Sequence, residues 1–136
     1  MPYLLNHLTA SSAEIAPDRV ALTFGAAHLC YAALESAIQA LSSGLLELGL
    51  LRGERVGIYL DKRTEAVIAA FGSAAAGGVF VPVNPLLKPE QVGHILRDCN
   101  VRVLVTSPER QELLNPVLDT CHDLGHLILT GPVAEV

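Results

Sequence analysis

Residues 73–91 read SAAAGGVFVPVNPLLKPEQ. Alanines lead into the pair Gly77–Gly78, four β-prone positions follow, and then prolines and an asparagine precede Pro89–Glu90. Glycine just past an apolar helical run is a helix stop. The stretch therefore predicts a helix that ends at Gly77, a strand built on VFVPV, and a second helix from about Glu90. The alanines Ala74, Ala75 and Ala76 suit close packing of the first helix on a sheet. Pro82 removes a ladder donor, so the strand is expected to shorten to 79–81 or to bulge.

The same alternation extends outward in both directions. RVGIYL at 55–60 is an apolar run of strand length, and Asp61 is a candidate N-cap for a helix with Val67, Ile68, Phe71, Ala74 and Ala75 on its inner face. The helix from Glu90 to Cys99 carries Val92, Ile95, Leu96 and Cys99 inward. VRVLVT follows as a strand. Ser107–Pro108 pairs an N-cap with a first-turn proline, opening a helix with Leu113, Leu114, Val117, Leu118 and Cys121 inward. HLILT is the last strand, with Gly131–Pro132 directly after it. The strands are apolar throughout rather than alternating, which marks a parallel sheet covered on both faces.

Upstream, residues 3–16 predict a helix with Leu4, Leu5, Leu8 and Ile15 as its stripe. VALTF and HLCY flank a turn of Gly25, Ala26 and Ala27, a short hairpin. Leu34, Ile38, Leu41, Leu45 and Leu48 step by four and three along one helix face, and Gly49 stops it. The fold class is thus α/β: three layers, a mostly parallel sheet with helices on both faces, preceded by a helix and a short β-hairpin. The chain is expected to be a single domain over 1–136, with 1–31 as helix plus hairpin and 32–136 as the βα-repeating core.

Composition narrows the function classes. Of the 136 residues, 51% are hydrophobic before the 11 glycines are added. Ordinary soluble domains reach roughly 45–50% with glycine included, so some apolar surface is expected to need a cover. No apolar run approaches the ~18–20 residues of a membrane span, and no basic, cleavable leader opens the chain. A cytoplasmic location is expected. Nine Lys and Arg face 14 Asp and Glu, tryptophan is absent, and no basic stripe forms, which disfavours nucleic acid as a partner. Cys30, Cys99 and Cys121 are an odd set at wide spacing and read as buried free thiols.

Four groups invite chemistry, and each has a plainer reading. Gly77–Gly78 follow a helix and precede a strand, the reverse of the strand–loop–helix order of a phosphate cradle. Ser73 in FGSAA lacks the flanking glycines and the strand-to-helix turn of a nucleophile elbow. Cys121, His122 and His126 are too few for a zinc site without a second cluster, so no metal is expected. Asp61, Lys62, Arg63 and Glu65 form the densest charge group, at the carboxyl end of a strand where open α/β sheets gather ligands. A solvated helix start is the simpler account of them.

The order of motifs resembles the amino-terminal part of the adenylate-forming superfamily, the acyl-CoA synthetases, luciferases and peptide-synthetase adenylation domains. CYAALE, LRGERVGIYL, DKRTE and AGGVFVPVNP stand where that family has its helix start, strand entry, next helix and following strand. MPYLLNHL together with VPVNPLLKPEQVGHILRDC looks most like acyl-CoA ligases that accompany exosortase and exopolysaccharide systems. The resemblance implies that the chain is the amino-terminal subdomain of a longer AMP-forming ligase. Such a parent activates a carboxylate with ATP and passes the acyl group to CoA, with Mg as the metal. The family's Ser/Thr/Gly-rich ATP loop and catalytic lysine have no counterpart in these 136 residues. The chain alone is therefore expected to be inert, with no catalytic residue and no cofactor of its own, and to have the rest of the ligase as partner in cis. Its uncovered surface predicts self-association when isolated. The alternatives are a stand-alone binding or scaffold module and a flavodoxin-like nucleotide-binding domain. The latter requires a phosphate loop after the first parallel strand, which DKRTE does not supply.

Two departures from the family pattern bear on the site. Cys30 and Ala33 replace the Thr/Ser and Glu of a capping box, and Lys88 replaces the Thr or Ser before Pro-Glu. A lysine cannot accept a bond from an amide. Asn84 and Lys88 are the candidate cleft-side binding residues: the 84–88 loop is expected at the carboxyl edge of the sheet. Asn84 can instead bond within its own turn, and Lys88 is explained either as a poor cap or as a cation near the phosphates of ATP or CoA.

Overall fold

The computed structural model describes residues 4–131. Met1–Tyr3 and residues 132–136, including the expected turn residue Pro132, lie outside the described residues. In chain order the elements are α1 (Leu5–Ile15), β1 (Val20–Phe24), β2 (Ala27–Cys30), α2 (Tyr31–Glu47), β3 (Arg55–Tyr59), α3 (Thr64–Ala75), β4 (Val79–Pro82), α4 (Pro89–Asp98), β5 (Val101–Thr106), α5 (Pro108–Leu118) and β6 (His126–Leu129). The expected helix-plus-hairpin entry and the βα repeat are both present. β1 and β2 form a separate antiparallel ribbon around a two-residue turn in which Gly25 takes a φ of 58°. Ala27 belongs to the second strand rather than to the turn.

The four remaining strands form one sheet in the order β4-β3-β5-β6, with each neighbouring pair parallel. β3 and β5 are central and almost wholly buried, whereas β4 and β6 form the edges and are half-exposed. One face carries α2 and α3 over Val56, Ile58, Val103 and Val105. The other carries α4 and α5 over Tyr59, Val101 and Leu104. Each fully buried leucine or valine of these clusters contributes roughly 1.5–3 kcal/mol relative to exposure. No charged side chain is among the buried residues of either face, as a doubly covered parallel sheet requires, and Arg55 and Arg102 are exposed near the strand starts.

Pro82 is accommodated inside β4 rather than ending it. Val79 donates to the Glu54 carbonyl at 2.8 Å, and Val83 to the Ile58 carbonyl at 2.9 Å. Alternate residues of β4 thus face β3, so the nitrogen of Pro82 points to the open edge, where no ladder bond is lost.

Helix ends follow glycine where the sequence placed it. Gly77, at a φ of 83°, donates to the Ala74 carbonyl, and Gly78 to the Ser73 carbonyl, the paired bonds of a Schellman stop. Gly49 and Leu50 repeat this on Leu46 and Leu45. The start of α2 has Cys30 at the cap and no side-chain acceptor. Its first amides are met from elsewhere: Tyr31 donates to the Arg19 carbonyl and Ala32 to the Pro17 carbonyl. The chain between α1 and β1 therefore replaces the missing capping box.

Several faces differ from expectation. On α3 the buried residues are Ala69, Gly72 and Ser73, with the cap residue Ala76, while Val67, Ile68, Phe71, Ala74 and Ala75 are only half-buried. The reason is distance. A Cβ added to Gly72 would lie 2.8 Å from Leu41 Cδ2 and 3.1 Å from Leu41 Cβ, so α2 and α3 meet too closely for larger side chains. Ala74 and Ala75 instead line an open cavity with Leu4, Leu5 and Arg52. The expected stripe of α1, Leu4, Leu5, Leu8 and Ile15, is exposed, and Thr9 is the buried residue of that helix. α1 packs on α2 and α3 through a smaller, more polar side. Leu48 and Leu113 are also exposed. Helical spacing identified a face in these cases, but which part of it the neighbours reach was set by packing. Of the three free thiols only Cys121 is buried, while Cys30 and Cys99 are half-buried.

The tight α2–α3 contact gives opposite expectations at two mid-helix glycines. Gly72→Ala gains about 1 kcal/mol of helix propensity but adds overpacking of about 1–3 kcal/mol, for a net loss in urea unfolding. Gly44, in α2, has nothing within 4 Å of an added Cβ. Gly44→Ala is expected to stabilise by about 0.5–1 kcal/mol. Equal shifts for the two variants would contradict the close approach.

Candidate functional site at the carboxyl edge of the sheet

Because the strands are parallel, the segments leaving β3, β4 and β5 emerge on one edge. From β3 the chain steps to β4 on one side, and from β4 it returns past β3 to β5 on the other. The helices of these two steps lie on opposite faces, so a crevice opens between the ends of β3 and β5. Ligands of open α/β sheets bind at such a switch point. Here the crevice holds about 350 Å3 and is lined by Asp61, Arg63, Ser107, Glu109, Arg110 and Leu113. At the end of β5 the buried Thr106 hydroxyl donates to the Tyr59 carbonyl at 2.7 Å, tying β5 to β3.

The charge group after β3 divides on folding. Arg63 Nε donates to Glu65 Oε2 at 2.8 Å, and the Arg63 side chain is 13% exposed against 45% for Glu65. This hydrogen bond holds the Glu65 carboxyl below the usual glutamate range and raises Arg63 further. Asp61 is not the N-cap of α3. The helix begins at Thr64, with Arg63 at the cap position and no capping side chain. Asp61 stays exposed at the crevice.

A second, apolar cavity of about 470 Å3 lies beside it, between the ends of β3 and β4, α3 and the 84–88 loop. Ile58, Ala66, Phe80, Pro82 and Leu86 wall it, with Asp61 and Lys62 at the rim. Leu86 is 89% exposed, and nothing among the described residues covers it.

The two candidate binding residues lie in that loop. Asn84 Oδ1 accepts from the Leu86 amide at 2.9 Å, which is the turn-forming role. Lys88 is exposed at the cap of α4 with no capping bond from its side chain. Half of a capping box survives, because the Lys88 amide donates to Gln91 Oε1 at 2.9 Å. Ser107 caps α5 by accepting from the Arg110 amide at 3.3 Å. Its place on the crevice, and those of Glu109 and Arg110, were not singled out from sequence. Only the strand order reveals that the start of α5 faces the end of β3.

The other sequence candidates have structural partners. Ser73 is buried and its hydroxyl donates to the Ala69 carbonyl one turn back, at 2.6 Å. Cys121 Sγ lies 3.5 Å from the Val117 carbonyl and 3.9 Å from that of Gly93, inside the α4–α5 layer, while His122 and His126 are exposed.

These features can be set beside known proteins. The profile of the family described as AMP-binding enzyme matches residues 9–134. The chain belongs to that family. Tyrocidine synthase 1 of Brevibacillus parabrevis is 30% identical over 122 residues, 90% of this chain and 11% of the synthase. Syringomycin synthase SyrB1 of Pseudomonas syringae pv. syringae is 33% identical over 101 residues, 74% of this chain and 16% of that one. Among solved structures, the anthranilate CoA ligase AuaEII in complex with anthranoyl-AMP superposes with a TM-score of 0.90 at 26% identity, over 96% of this chain and 26% of the ligase. VinN gives 0.84 at 28% identity, over 93% and 31%. The chain thus spans only a minor part of the relatives it matches. The strand order of the sheet is also that of flavodoxin-like domains, but the family match and the absence of a glycine-rich turn after β3 place this AMP-binding sheet elsewhere.

Of the crevice's two guanidiniums, Arg63 spends Nε on Glu65 and Arg110 spends Nη1 on the Pro85 carbonyl at 3.0 Å, so each already has a partner within the chain. Among the described residues no group of three or more His, Cys, Asp or Glu is gathered at one place.

The Arg63–Glu65 pair has a pH signature. A carboxyl held low when folded stabilises above its unfolded pKa, and loses that contribution as pH falls through its folded value. Since Glu65 is nearly half exposed, solvent screening limits the pair to about 0–1 kcal/mol. The stability gap between wild type and Glu65→Gln should therefore be small at pH 7 and narrow as pH falls through and below the ordinary glutamate range. A gap that widens on acidification would contradict the pairing.

Proposed function

We propose that this chain is the amino-terminal part of an AMP-forming acyl-CoA ligase, of the type that accompanies exosortase systems, acting in the cytoplasm. The observation that carries the reading is the family match over residues 9–134, together with a sheet that superposes on a CoA ligase holding an acyl-adenylate. The parent protein would form an acyl-adenylate from a carboxylate and ATP with Mg, then transfer the acyl group to CoA. That both crevice guanidiniums already bond within the chain supports assigning ATP and Mg to residues outside it. We take residues 1–136 as one domain that contributes a wall of the cleft and, alone, no catalysis. Activation of an amino acid is the second reading, favoured by the relatives named as tyrocidine and syringomycin synthases.

Pyrophosphate release separates these possibilities. The protein that carries the chain should release it with a carboxylic acid and then consume CoA, whereas the isolated 136 residues should release none. Acid-dependent release without CoA consumption, best with an amino acid, would favour the second reading. Turnover by the isolated chain above a heat-killed control would overturn the assignment of ATP chemistry to the rest of the protein.

Lys88 is the cleft-side residue whose role at a cap is least explained by capping. In the intact ligase, Lys88→Thr supplies the missing acceptor, so stability should hold or rise by about 1 kcal/mol. If Lys88 serves the phosphates of CoA or ATP, the apparent KM for one of them rises as well. A gain in stability with unchanged kinetics leaves Lys88 as a cap residue only.

The same reading assigns a partner to the apolar surface. Leu5, Leu8, Val79 and Leu86 are exposed, and the edges of the sheet at β4 and β6 are unpaired among the described residues. Isolated, the chain should self-associate through such surface. Light scattering over a dilution series should show mass rising with concentration, and a monomer throughout would refute it.

A further inference from the structure

The 84–88 loop is held from both sides of the sheet's end. Arg110 leaves the first turn of α5 and lays its guanidinium 4.9 Å from the centre of the Tyr59 ring. From there Nη1 donates to the Pro85 carbonyl at 3.0 Å. The hydroxyl of the same Tyr59 donates to the Leu87 carbonyl at 3.2 Å. Two alternate carbonyls of one short loop are thus gripped by donors from α5 and β3. Within the loop, Leu86 donates to Asn84 Oδ1, Leu87 to the Asn84 carbonyl and Lys88 to Gln91 Oε1.

The anchors are themselves fixed. Tyr59 is 2% exposed and packed in the α4–α5 layer, so its ring cannot swing away. Arg110 is half-buried, and the planar guanidinium can stack on the ring and still present its N–H groups in the ring's direction of reach. Arg110 also lines the β3–β5 crevice, while the loop it holds, through Asn84, Pro85 and Leu86, walls the apolar cavity. One side chain therefore touches both halves of the candidate site.

We propose that Arg110, working through Tyr59, is a positioning residue that clamps the 84–88 loop and so fixes the wall of the apolar cavity from the crevice side. The clamp stands on this geometry alone. Its consequence for catalysis rests on the reading of the parent as an AMP-forming ligase whose cleft lies on this edge.

The test is amide hydrogen exchange on the intact protein, comparing Leu86, Leu87 and Lys88 with the buried strand amides of Val103 and Leu104. Arg110→Met keeps an unbranched apolar stem and removes the donor. Exchange at the loop should rise roughly ten-fold, the scale of one lost charge-assisted hydrogen bond, with the strand amides unchanged. Arg110→Lys should restore part of the protection. Tyr59→Phe keeps the ring beneath the guanidinium and removes only the bond to Leu87, so it gives a smaller rise and serves if Arg110→Met folds poorly. Loop exchange that stays at the wild-type rate, or that rises only in step with the strand amides, overturns the clamp. In the ligase assay, Arg110→Met should raise the KM for the carboxylate or CoA more than it lowers kcat, and Arg110→Lys should recover it. An equal fall in kcat with KM untouched would refute the positioning role. A wild-type protein that releases no pyrophosphate would remove the ligase reading, and the exchange comparison would still decide the clamp.

Discussion

The side-by-side parallel pairing of β3 and β5 is the constraint on which the rest depends. Gly57 shows how tight it is: a Cβ there would lie 3.2–3.3 Å from Leu104, Val101 and Leu96 side chains. The two strands are buried on both faces, so every segment leaving them must return over one face or the other. The outward step to β4 and the return to β5 send their helices to opposite faces. That divergence leaves the crevice, and it brings Asp61 and Arg63 from one segment against Ser107, Glu109 and Arg110 from another. None of these contacts is local in sequence.

Small residues then decide how closely the layers approach. Gly72 against Leu41 sets the spacing of α2 and α3. On the opposite face, an added Cβ at Gly93 would meet Val117 at 3.1 Å, which brings α4 onto α5. Interiors packed at this density leave little slack. The larger apolar side chains of α1 and α3 are consequently turned to the periphery. Much of the chain's apolar excess lies there, and not in the core.

At the carboxyl edge, polar groups are spent on the backbone more than on open solvent. Thr106 holds the Tyr59 carbonyl, Tyr59 the Leu87 carbonyl, Arg110 the Pro85 carbonyl, and Asn84 the Leu86 amide. Each satisfies a main-chain group that a sheet ladder or helix cannot reach. The edge is thus ordered before any ligand arrives, while its apolar cavity and Leu86 remain open.

By itself the sequence determined the element types and their order. Helical spacing, glycine stops and unbroken apolar strands are local signals, and each names its element without help from distant residues. Gly77–Gly78 and Ser107–Pro108 are legible for that reason, as is the family, since the motifs keep their order; Pro82 is not, because only the strand order shows that its nitrogen faces an open edge. Tertiary structure decided which residues of each face are inside. The leucines of α1 are exposed because α1 meets its neighbours through small polar residues, and α3 turns its glycine and alanines inward because Leu41 leaves room for nothing larger. It also decided the site. Asp61 and Arg63 were visible as a charge cluster, but their proximity to Ser107 and Arg110 follows from strand order, which no local pattern encodes. Asn84 could be placed in its own turn from sequence because that bond spans two residues. The hold of Arg110 on Pro85 spans 25, and only the packing of α5 against the end of β3 creates it.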